Sequence, residues 1–442
     1  MPPVTYERRA LSALELPYAQ TNTISCGTFV LQGSLEVPTL AAAFQALQRE
    51  FPVLAGHIAI GADGAELVAG DTDASPVFVQ EQRKFTPGDV HLKLQPLHQL
   101  SGVLVVTDGD RHQTTLGVNH AVADGTHAAF LLLRLWEHYT CLIETGQAHP
   151  AARNPLPSSP SQTAQQVGVL ADGPPPRGFG EIRSNGIMPT ANDVGGELFD
   201  FCRVVVDEST FTRVRHHAKA AGVSVHAFVS GVITLAERRT LAGVRADAVV
   251  PMGVFSPVDL RSRFRPAIGS AAVTNFAGAS RVTVNVTAAS DPIAIGRAVS
   301  AQLHSDIEDT SVHRDLFGTG DHEPGTAETA APIRISNIGL MPEPALPSNL
   351  ACRDFHTSSH VDMNAVRALI ALSPPGESLP ALMGMHYHVM SFAGRLSIEM
   401  RGVPGSVPVR VADAIVSDIL AQLHTQADAM IDLQQLAAHH GE

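Results

Sequence analysis

The histidine-containing stretch from Thr114 to Gly125, TTLGVNHAVADG, constrains the fold of this chain more than any other segment. It begins as an apolar strand, reaches His120, and enters an apolar helix directly after Asp124 and Gly125. Asp124 has the short acceptor side chain that favours a helix N-cap, and Gly125 allows the backbone to turn sharply. An imidazole fixed between a strand end and a capped helix keeps one orientation, as a general base requires. The stretch therefore predicts a strand–turn–helix unit with His120 at the edge of a sheet.

Hydrophobic periodicity predicts mixed α and β structure on both sides of this unit. In the first half we expect a strand over residues 22–35, a helix opened by Pro38, hairpins over 58–68 and 103–120, and a helix over 126–144 that is stopped by Gly146. In the second half we expect a strand at 204–206, helices capped by Ser209 and Ser224, strands at 249–256, 279–288 and 332–337, a helix over 291–304, a hairpin over 382–401 and a helix over 408–425. Residues 305–331 are acidic, Gly-rich and contain histidine, which predicts a mobile surface segment.

Length and proline content predict the domain organisation. A chain of 442 residues favours two domains, each large enough to bury a core. Residues 151–199 are rich in Pro and Gly, which favours a linker over a packed element. We therefore expect one domain over residues 1–150, a linker over 151–199 and a second domain over 200–442.

Composition argues against several classes of partner. The net charge of −13 and the lack of a basic tract make nucleic acid an unfavourable partner. The four cysteines are far apart and form no CxxC pair, which indicates free thiols in a reducing compartment. We find no apolar run of about 18 residues and no apolar core of a signal peptide. We therefore expect a cytoplasmic protein with no transmembrane segment.

The other histidines do not converge on metal-ligand spacings. His386 and His388 share one face of a predicted strand, so a metal pair stays an alternative. A channel lining or a packed face is the favoured reading, and we expect no metal site.

The spacing of His120 and Asp124 does not decide their role by itself. A core histidine beside an ordinary helix cap explains the two residues about as well as catalysis does, because His-x-x-x-Asp is a loose pattern. The order of strand, histidine, turn and helix, with Gly125 directly after the aspartate, favours the catalytic interpretation.

Four motifs in this chain together resemble a known enzyme superfamily. Residues 119–125 (NHAVADG) are similar to the His-His-x-x-x-Asp-Gly signature of condensation domains and CoA-dependent acyltransferases, with Asn119 in place of the first histidine. FPVLAGH at 51–57, PVDLRSR at 257–263 and SNIG at 336–339 resemble further motifs of that group, in the same order. Length and motif order are most similar to the polyketide-associated (PapA5-like) acyltransferases of actinobacteria. The Asp-Phe-Gly-Trp-Gly motif of the plant branch is missing.

The resemblance implies a mixed-sheet α/β (α+β) fold of two chloramphenicol-acetyltransferase-like domains, with His120 in a channel between them. It implies an O-acyltransferase that moves an acyl group from acyl-CoA or an acyl carrier protein to an alcohol of a natural product, such as a polyketide, or of a lipid. His120 would take the proton from the acceptor hydroxyl in a direct transfer without an acyl-enzyme. The thioester donor is then a co-substrate, no other cofactor is expected, and the enzyme is expected to act as a monomer.

The resemblance also implies roles for the residues around His120. Asp124 belongs to the catalytic signature, but in the family this aspartate points away from the substrate and pairs with an arginine. Arg261 is the favoured partner by motif position and Arg263 is the second candidate, with Asp259 in the same motif. Solvated surface arginines after a strand remain the alternative for both.

Ser336 and Asn337 are candidates for polar contacts to the oxyanion or the channel, and a plain strand-end turn explains them equally well. Two other functions stay open. One is a condensation-type enzyme that forms amides on carrier-bound substrates, and the other is a non-catalytic binding or docking protein of the same fold.

Overall fold

The computed structural model describes residues 7–61, 64–70, 77–86, 88, 92–173, 176–185, 201–318, 330–372, 385–402 and 407–439. Two large sheets and one small sheet organise these residues. The first sheet has the strand order β12 (Leu350–His360), β2 (Ile24–Gly33), β7 (Arg111–Asn119), β6 (Ser101–Asp108) and β5 (Phe78–Gln82). The second sheet has the order β10 (Ala277–Val286), β9 (Val250–Asp259), β11 (Ile333–Leu340), β13 (His386–Phe392), β14 (Arg395–Arg401) and β8 (Cys202–Val206). The small sheet contains β1 (Arg8–Ala10), β4 (Gly64–Val68) and β3 (His57–Gly61).

Both large sheets mix parallel and antiparallel pairs. β5 runs parallel to β6, and β11 runs parallel to both β9 and β13, whereas the other neighbours are antiparallel. Parallel neighbours need a crossover connection. In the second sheet a strand and a helix separate each parallel pair along the chain: residues 277–308 between β9 and β11, and residues 350–372 between β11 and β13. The sheets are therefore mixed, as the sequence predicts.

Helices cover these sheets. They are α1 (Leu16–Gln20), α2 (Val37–Glu50), α3 (Gly125–Thr145), α4 (Pro160–Gln166), α5 (Glu208–Ala220), α6 (Val225–Arg239), α7 (Pro292–Glu308), α8 (Met363–Leu372) and α9 (Val409–His439). The apolar stripes of α2 and α3 share one core with the first sheet, and those of α5, α6 and α9 share another with the second. In the part of the chain that the structure describes, no single helix is long and apolar enough to span a membrane, and α5 with α6 meets that test only as a pair bent by 101°.

One strand links the two large sheets. β12 follows β11 of the second sheet in the chain, yet it pairs antiparallel with β2 of the first sheet over the length of both strands. The predicted boundary assigns residues 200–442 to the second domain, and β12 departs from that division. Its register could not be read from the sequence because partner strands more than 300 residues apart leave no local signal.

Three phenylalanines pack where the sheets meet. Phe29 of β2, Phe355 of β12 and Phe392 of β13 are almost fully buried. Their ring centroids lie 5.3 Å apart for Phe29 and Phe355, 6.1 Å for Phe29 and Phe392, and 6.2 Å for Phe355 and Phe392. Phe392 thus brings a strand of the second sheet into the core of the first.

Four residues are predicted to cap or stop a helix, and the structure confirms three of them and contradicts one. Asp124 and Ser224 each accept a hydrogen bond from a backbone amide at the start of α3 and α6, and Gly146 ends α3 in the left-handed region with φ 74°. Ser209 does not cap α5: Asp207 does, and its carboxylate accepts from the amide of Thr210 at 2.8 Å. Asp207 is an equally good cap two residues earlier, and its charge also favours the positive end of the helix dipole.

The mobile segment predicted over residues 305–331 is wrong for its first part. α7 continues to Glu308, and a 3-10 helix over Ser311–Phe317 follows it. Val312 and Leu316 of that helix are fully buried against β9 and the chain before β10. The acidic, Gly-rich composition of the whole window concealed these apolar positions. Residues 319–329 lie outside the described part of the chain.

Replacing Phe392 with alanine should destabilise the protein by about 3–5 kcal/mol, because it leaves a cavity beside two aromatic rings. Denaturant unfolding of Phe392→Ala measures the loss. Phe130→Ala is the matched control, since that ring is 38% exposed, and its loss should be distinctly smaller. Equal losses in the two variants would show that the three-ring cluster does not join the sheets.

Candidate active site

The turn between β7 and α3 is shaped by Asn119 and Asp124. Asn119 is fully buried, its side-chain oxygen accepts from the amide of Ala121 at 3.0 Å, and its side-chain nitrogen donates to Asn22 at 3.2 Å. The Oδ1 atom of Asp124 accepts from the amide of His127 at 3.0 Å and so caps α3. These bonds fix the backbone on both sides of His120. The contacts of the Asn119 side chain therefore hold the turn in place, and the side chain does not line the cavity.

Asp124 makes the predicted ion pair with Arg261. The Arg261 Nη1 atom lies 2.7 Å from Asp124 Oδ2, and the amide of Phe276 donates to the same oxygen at 2.8 Å. Burial alone would raise the pKa of the Asp124 carboxyl, but Arg261 and the amides of Phe276 and His127 outweigh it and hold the pKa below its ordinary value. The carboxylate is thus charged and occupied on both oxygens. This geometry fits a structural role for Asp124.

Asp259 supports the same arginine from the surface. Its Oδ1 atom accepts from Arg261 Nη1 at 3.0 Å, and its Oδ2 atom accepts from the Thr126 hydroxyl at 3.3 Å. Because Thr126 lies at the start of α3, Asp259 ties the end of β9 to that helix.

The sharp turn predicted at Gly125 is wrong. Gly125 is absent from the glycines with positive φ, and a Cβ built on it would meet no atom within 4 Å. The backbone there is ordinary helix start, so Asp124 shapes the turn without help from a glycine.

His120 is oriented by a second asparagine. Asn275 donates from Nδ2 to the carbonyl of His120 at 2.9 Å, and its Oδ1 lies 3.2 Å from His120 Nδ1. Since Oδ1 can only accept, the proton of a neutral imidazole belongs on Nδ1 in this network, which leaves Nε2 with a free lone pair. The ring of Tyr18 stacks on the imidazole, with centroids 4.2 Å apart and planes at 14°. The arrangement gives His120 one tautomer and one orientation.

The side chain of Glu15, near the start of the chain, holds in place the segments that contact His120. Glu15 is fully buried, receives both Nη atoms of Arg9 at 2.9 and 2.6 Å, and accepts from the Thr274 hydroxyl. Thr274 precedes Asn275, and Glu15 stands one helical turn before Tyr18. The sequence reasoning missed Tyr18, Asn275 and Glu15, because no local pattern indicates contacts between segments 155 and 259 residues apart, as for His120 with Asn275 and Glu15 with Thr274.

Burial sets the protonation of His120. It lowers the pKa of the imidazole below 6.5, against the raising effects of its hydrogen bonds and of Asp124, and the positive charge of Arg334 lowers the pKa further. His120 is therefore neutral at pH 7, in the form that accepts a proton.

A cavity of about 680 Å³ lies between the two large sheets and reaches His120. Polar side chains of the second sheet and of the segments around His120 line it: Tyr18, His120, Asn275, Arg281, Arg334, Ser336, Asn337, His386, His388 and Arg401. Apolar side chains form another part of its wall: Ala128, Ala129, Leu133, Ile338, Met341 and Phe355. An apolar wall with a few convergent polar groups is typical of a small-molecule site.

Ser336 and Asn337, predicted together, differ in their contacts. The Ser336 hydroxyl lies 2.7 Å from His386 Nε2 inside the cavity. The side-chain oxygen of Asn337 instead accepts from the amide of Gly339 at 2.9 Å, as in a strand-end turn. The oxyanion interpretation thus suits Ser336 and the turn interpretation suits Asn337.

His386 and His388 face the cavity side by side, with ring centroids 4.0 Å apart. Over the described ranges, no group of three or more His, Cys, Asp or Glu residues is placed to hold a metal ion. Both side chains line the cavity, as the favoured interpretation of their spacing predicts.

Replacing Asp124 with asparagine should destabilise the fold by about 3–5 kcal/mol, because it leaves the Arg261 charge buried without its main partner. Asp259→Asn, which removes a partly exposed partner of the same arginine, should cost about 0–1 kcal/mol. Denaturant unfolding compares the two variants. Equal losses would mean that the buried pair does not connect the two halves.

Comparisons with known proteins give relatives that are similar in sequence. Residues 195–401 match the family model described as "Phthiocerol/phthiodiolone dimycocerosyl transferase C-terminus". The chain is 28% identical over 325 residues to the phthiocerol/phthiodiolone dimycocerosyl transferase of Mycobacterium sp. (strain JLS), covering 70% of this chain and 76% of the relative.

Two solved structures share the fold. Polyketide synthase associated protein 5 from Mycobacterium tuberculosis superposes with a TM-score of 0.72 at 22% identity, over 94% of this chain and 98% of the other. The first condensation domain of the CDA synthetase superposes with a TM-score of 0.61 at 16% identity, over 95% and 97% of the two chains. The predicted mixed-sheet fold of two chloramphenicol-acetyltransferase-like lobes is confirmed. The predicted resemblance to condensation domains and polyketide-associated acyltransferases is confirmed, and the sequence relatives that the chain matches are named as transferases.

Proposed function

We propose that this enzyme transfers an acyl group from a thioester, carried by CoA or an acyl carrier protein, to the hydroxyl of a lipid or polyketide alcohol, with His120 as general base. The observation that carries the proposal is the contact of His120 Nδ1 with Asn275, which leaves the Nε2 lone pair on the wall of the cavity. A general base must hold such a lone pair within reach of the proton that it removes.

The chemistry is a direct transfer within a ternary complex. His120 Nε2 takes the proton of the acceptor hydroxyl while the hydroxyl oxygen attacks the thioester carbonyl carbon. The carbonyl oxygen becomes an oxyanion, for which the Ser336 hydroxyl is the candidate donor. When the carbon–sulfur bond breaks, the thiolate takes the proton back from the His120 imidazolium, and ester and thiol leave.

The apolar wall supports a lipid substrate. Ala128, Ala129 and Leu133 of α3 line the cavity together with Ile338 and Met341, and burying each methylene of a chain there contributes about 0.8 kcal/mol. The mycobacterial relative is named for a transfer to phthiocerol, which is consistent with this class of acceptor.

An amide-forming reaction on carrier-bound substrates is the second candidate, favoured by the likeness to a condensation domain. The same base serves an amine acceptor as well as an alcohol. A thiol-release assay with acetyl-, medium- and long-chain CoA, against a panel of alcohols and amines, separates the two. Release with amines alone would replace the ester proposal, and saturable binding without any release would identify a non-catalytic binding protein.

Replacing His120 with alanine should lower kcat/KM by about 10²–10⁴-fold, the usual contribution of a general base. The melting temperature should change little, since the imidazole lines the cavity and belongs to neither of the two large apolar cores. Thiol release and thermal unfolding measure the two effects, and His304→Ala, at an exposed position on α7, is the control for loss of a histidine. A His120→Ala protein that unfolds, or one that keeps its rate, contradicts the proposal.

The pH dependence should report the lowered pKa of His120. As the pH falls through that pKa, the imidazole takes a proton and can no longer accept one, so kcat/KM should fall on the acid side with an inflection below 6.5. Rates across pH 5 to 8, with melting measured at each pH, provide the test. An inflection above 6.5 in a folded protein would show that a different group is the base.

A further inference from the structure

A close contact joins two side chains on the wall of the cavity. The Ser336 hydroxyl of β11 and the Nε2 atom of His386 on β13 lie 2.7 Å apart. The two strands are parallel neighbours, and alternation along them turns Ser336 and His386 to the cavity while Ile335 and Tyr387 point into the core of the second sheet. The contact is therefore built into the sheet.

A hydroxyl group has one proton to donate and two lone pairs with which to accept. If Ser336 donates to His386, its proton is taken and an oxyanion in the cavity receives nothing from it. If His386 donates to Ser336, the serine proton stays available for the cavity. The direction of this one hydrogen bond decides whether Ser336 can serve as an oxyanion donor.

His386 carries one ring proton at neutral pH, so its tautomer sets that direction. Burial lowers its pKa well below 6.5, and repulsion between a protonated His386 and the neighbouring His388, Arg334 and His120 side chains lowers it further. The ring also packs against His388, with centroids 4.0 Å apart and planes tilted by 34°, which limits its rotation. A neutral ring held in this way keeps Nε2 pointed at the serine.

We propose that His386 is a positioning residue that donates from Nε2–H to the Ser336 hydroxyl and thereby aims the serine proton at the thioester carbonyl oxygen. The inference rests on the proposed function, in which Ser336 stabilises the oxyanion. His386 then acts through Ser336 and does not touch the reacting atoms.

The tautomer can be read without any turnover. In protein labelled with ¹⁵N-histidine at pH 7, the signals assigned with His386→Gln and His388→Gln should show Nε2 of His386 protonated and Nδ1 unprotonated. His120→Ala should not change that pattern, so a failure of the general-base proposal leaves this test intact. A His386 ring protonated on Nδ1 instead would overturn the positioning role.

A double-mutant cycle tests the consequence for the rate. Ser336→Ala should lower kcat about 10²–10³-fold with little change in KM, because the bond forms only in the transition state. His386→Phe should lower kcat by a similar factor, the double variant should be no slower than Ser336→Ala alone, and His386→Gln, whose amide can still donate, should recover most of the rate.

Two results contradict the inference. Additive losses in the double variant, with His386→Gln as slow as His386→Phe, would show that the imidazole acts independently of Ser336. An acyl group found on Ser336 by intact mass measurement would show that the serine donates to His386 and attacks the thioester as a nucleophile. The melting temperature of each variant, with His304→Gln as the exposed control, excludes loss of fold as the cause.

Discussion

The buried ion pair between Asp124 and Arg261 is the interaction on which the geometry of the site depends. Removing two charges from water costs several kcal/mol for each ion, and this is offset only where every remaining donor and acceptor is satisfied. Asp124 meets that condition with two backbone amides. Arg261 meets it at both Nη atoms, with Asp259 and the carbonyl of Val273 in addition to Asp124, while its buried Nε has no hydrogen-bond partner among the described residues. Asp124 stands at the start of α3, beside the first sheet, and Arg261 follows β9 of the second. The pair therefore fixes how the two walls of the cavity face each other.

The chain segment 273–276 connects this ion pair to His120. Successive residues give a carbonyl to Arg261, a carbonyl to the amide of Asp124, a side chain to His120 and an amide to the Asp124 carboxylate. Glu15 holds the same segment from the N-terminus through the Thr274 hydroxyl. Any shift of the segment would move the imidazole and the ion pair together. The orientation of the His120 imidazole and the stability of the Asp124–Arg261 ion pair thus depend on the same segment.

Whether a feature could be predicted from the sequence depends on how far apart the interacting residues lie in the chain. The cap at Asp124, the end of α3 at Gly146 and the capped start of α6 depend on residues within one turn, and all three are found. The motif resemblance added Arg261, which no local rule supplies. β12, Tyr18 and Asn275 could not be predicted, because their positions depend on partners far away in the chain. The sharp turn predicted at Gly125 was wrong although it concerns only neighbouring residues, because a helix that is capped by aspartate needs no glycine at its first position.

The lining of the cavity is also consistent with a histidine of lowered pKa as the base of the proposed acyl transfer. Burial and Arg334 lower the pKa of His120, which makes proton removal harder when considered alone. In the transition state of the proposed transfer, however, the imidazolium and the oxyanion would form together, so the reaction would separate charge within the cavity without changing its total. A positive side chain on the wall stabilises the oxyanion, and in a poorly solvated cavity this attraction is stronger than in water. The groups that disfavour an isolated imidazolium therefore favour the charge pair, provided that a donor such as Ser336 stands beside the carbonyl oxygen.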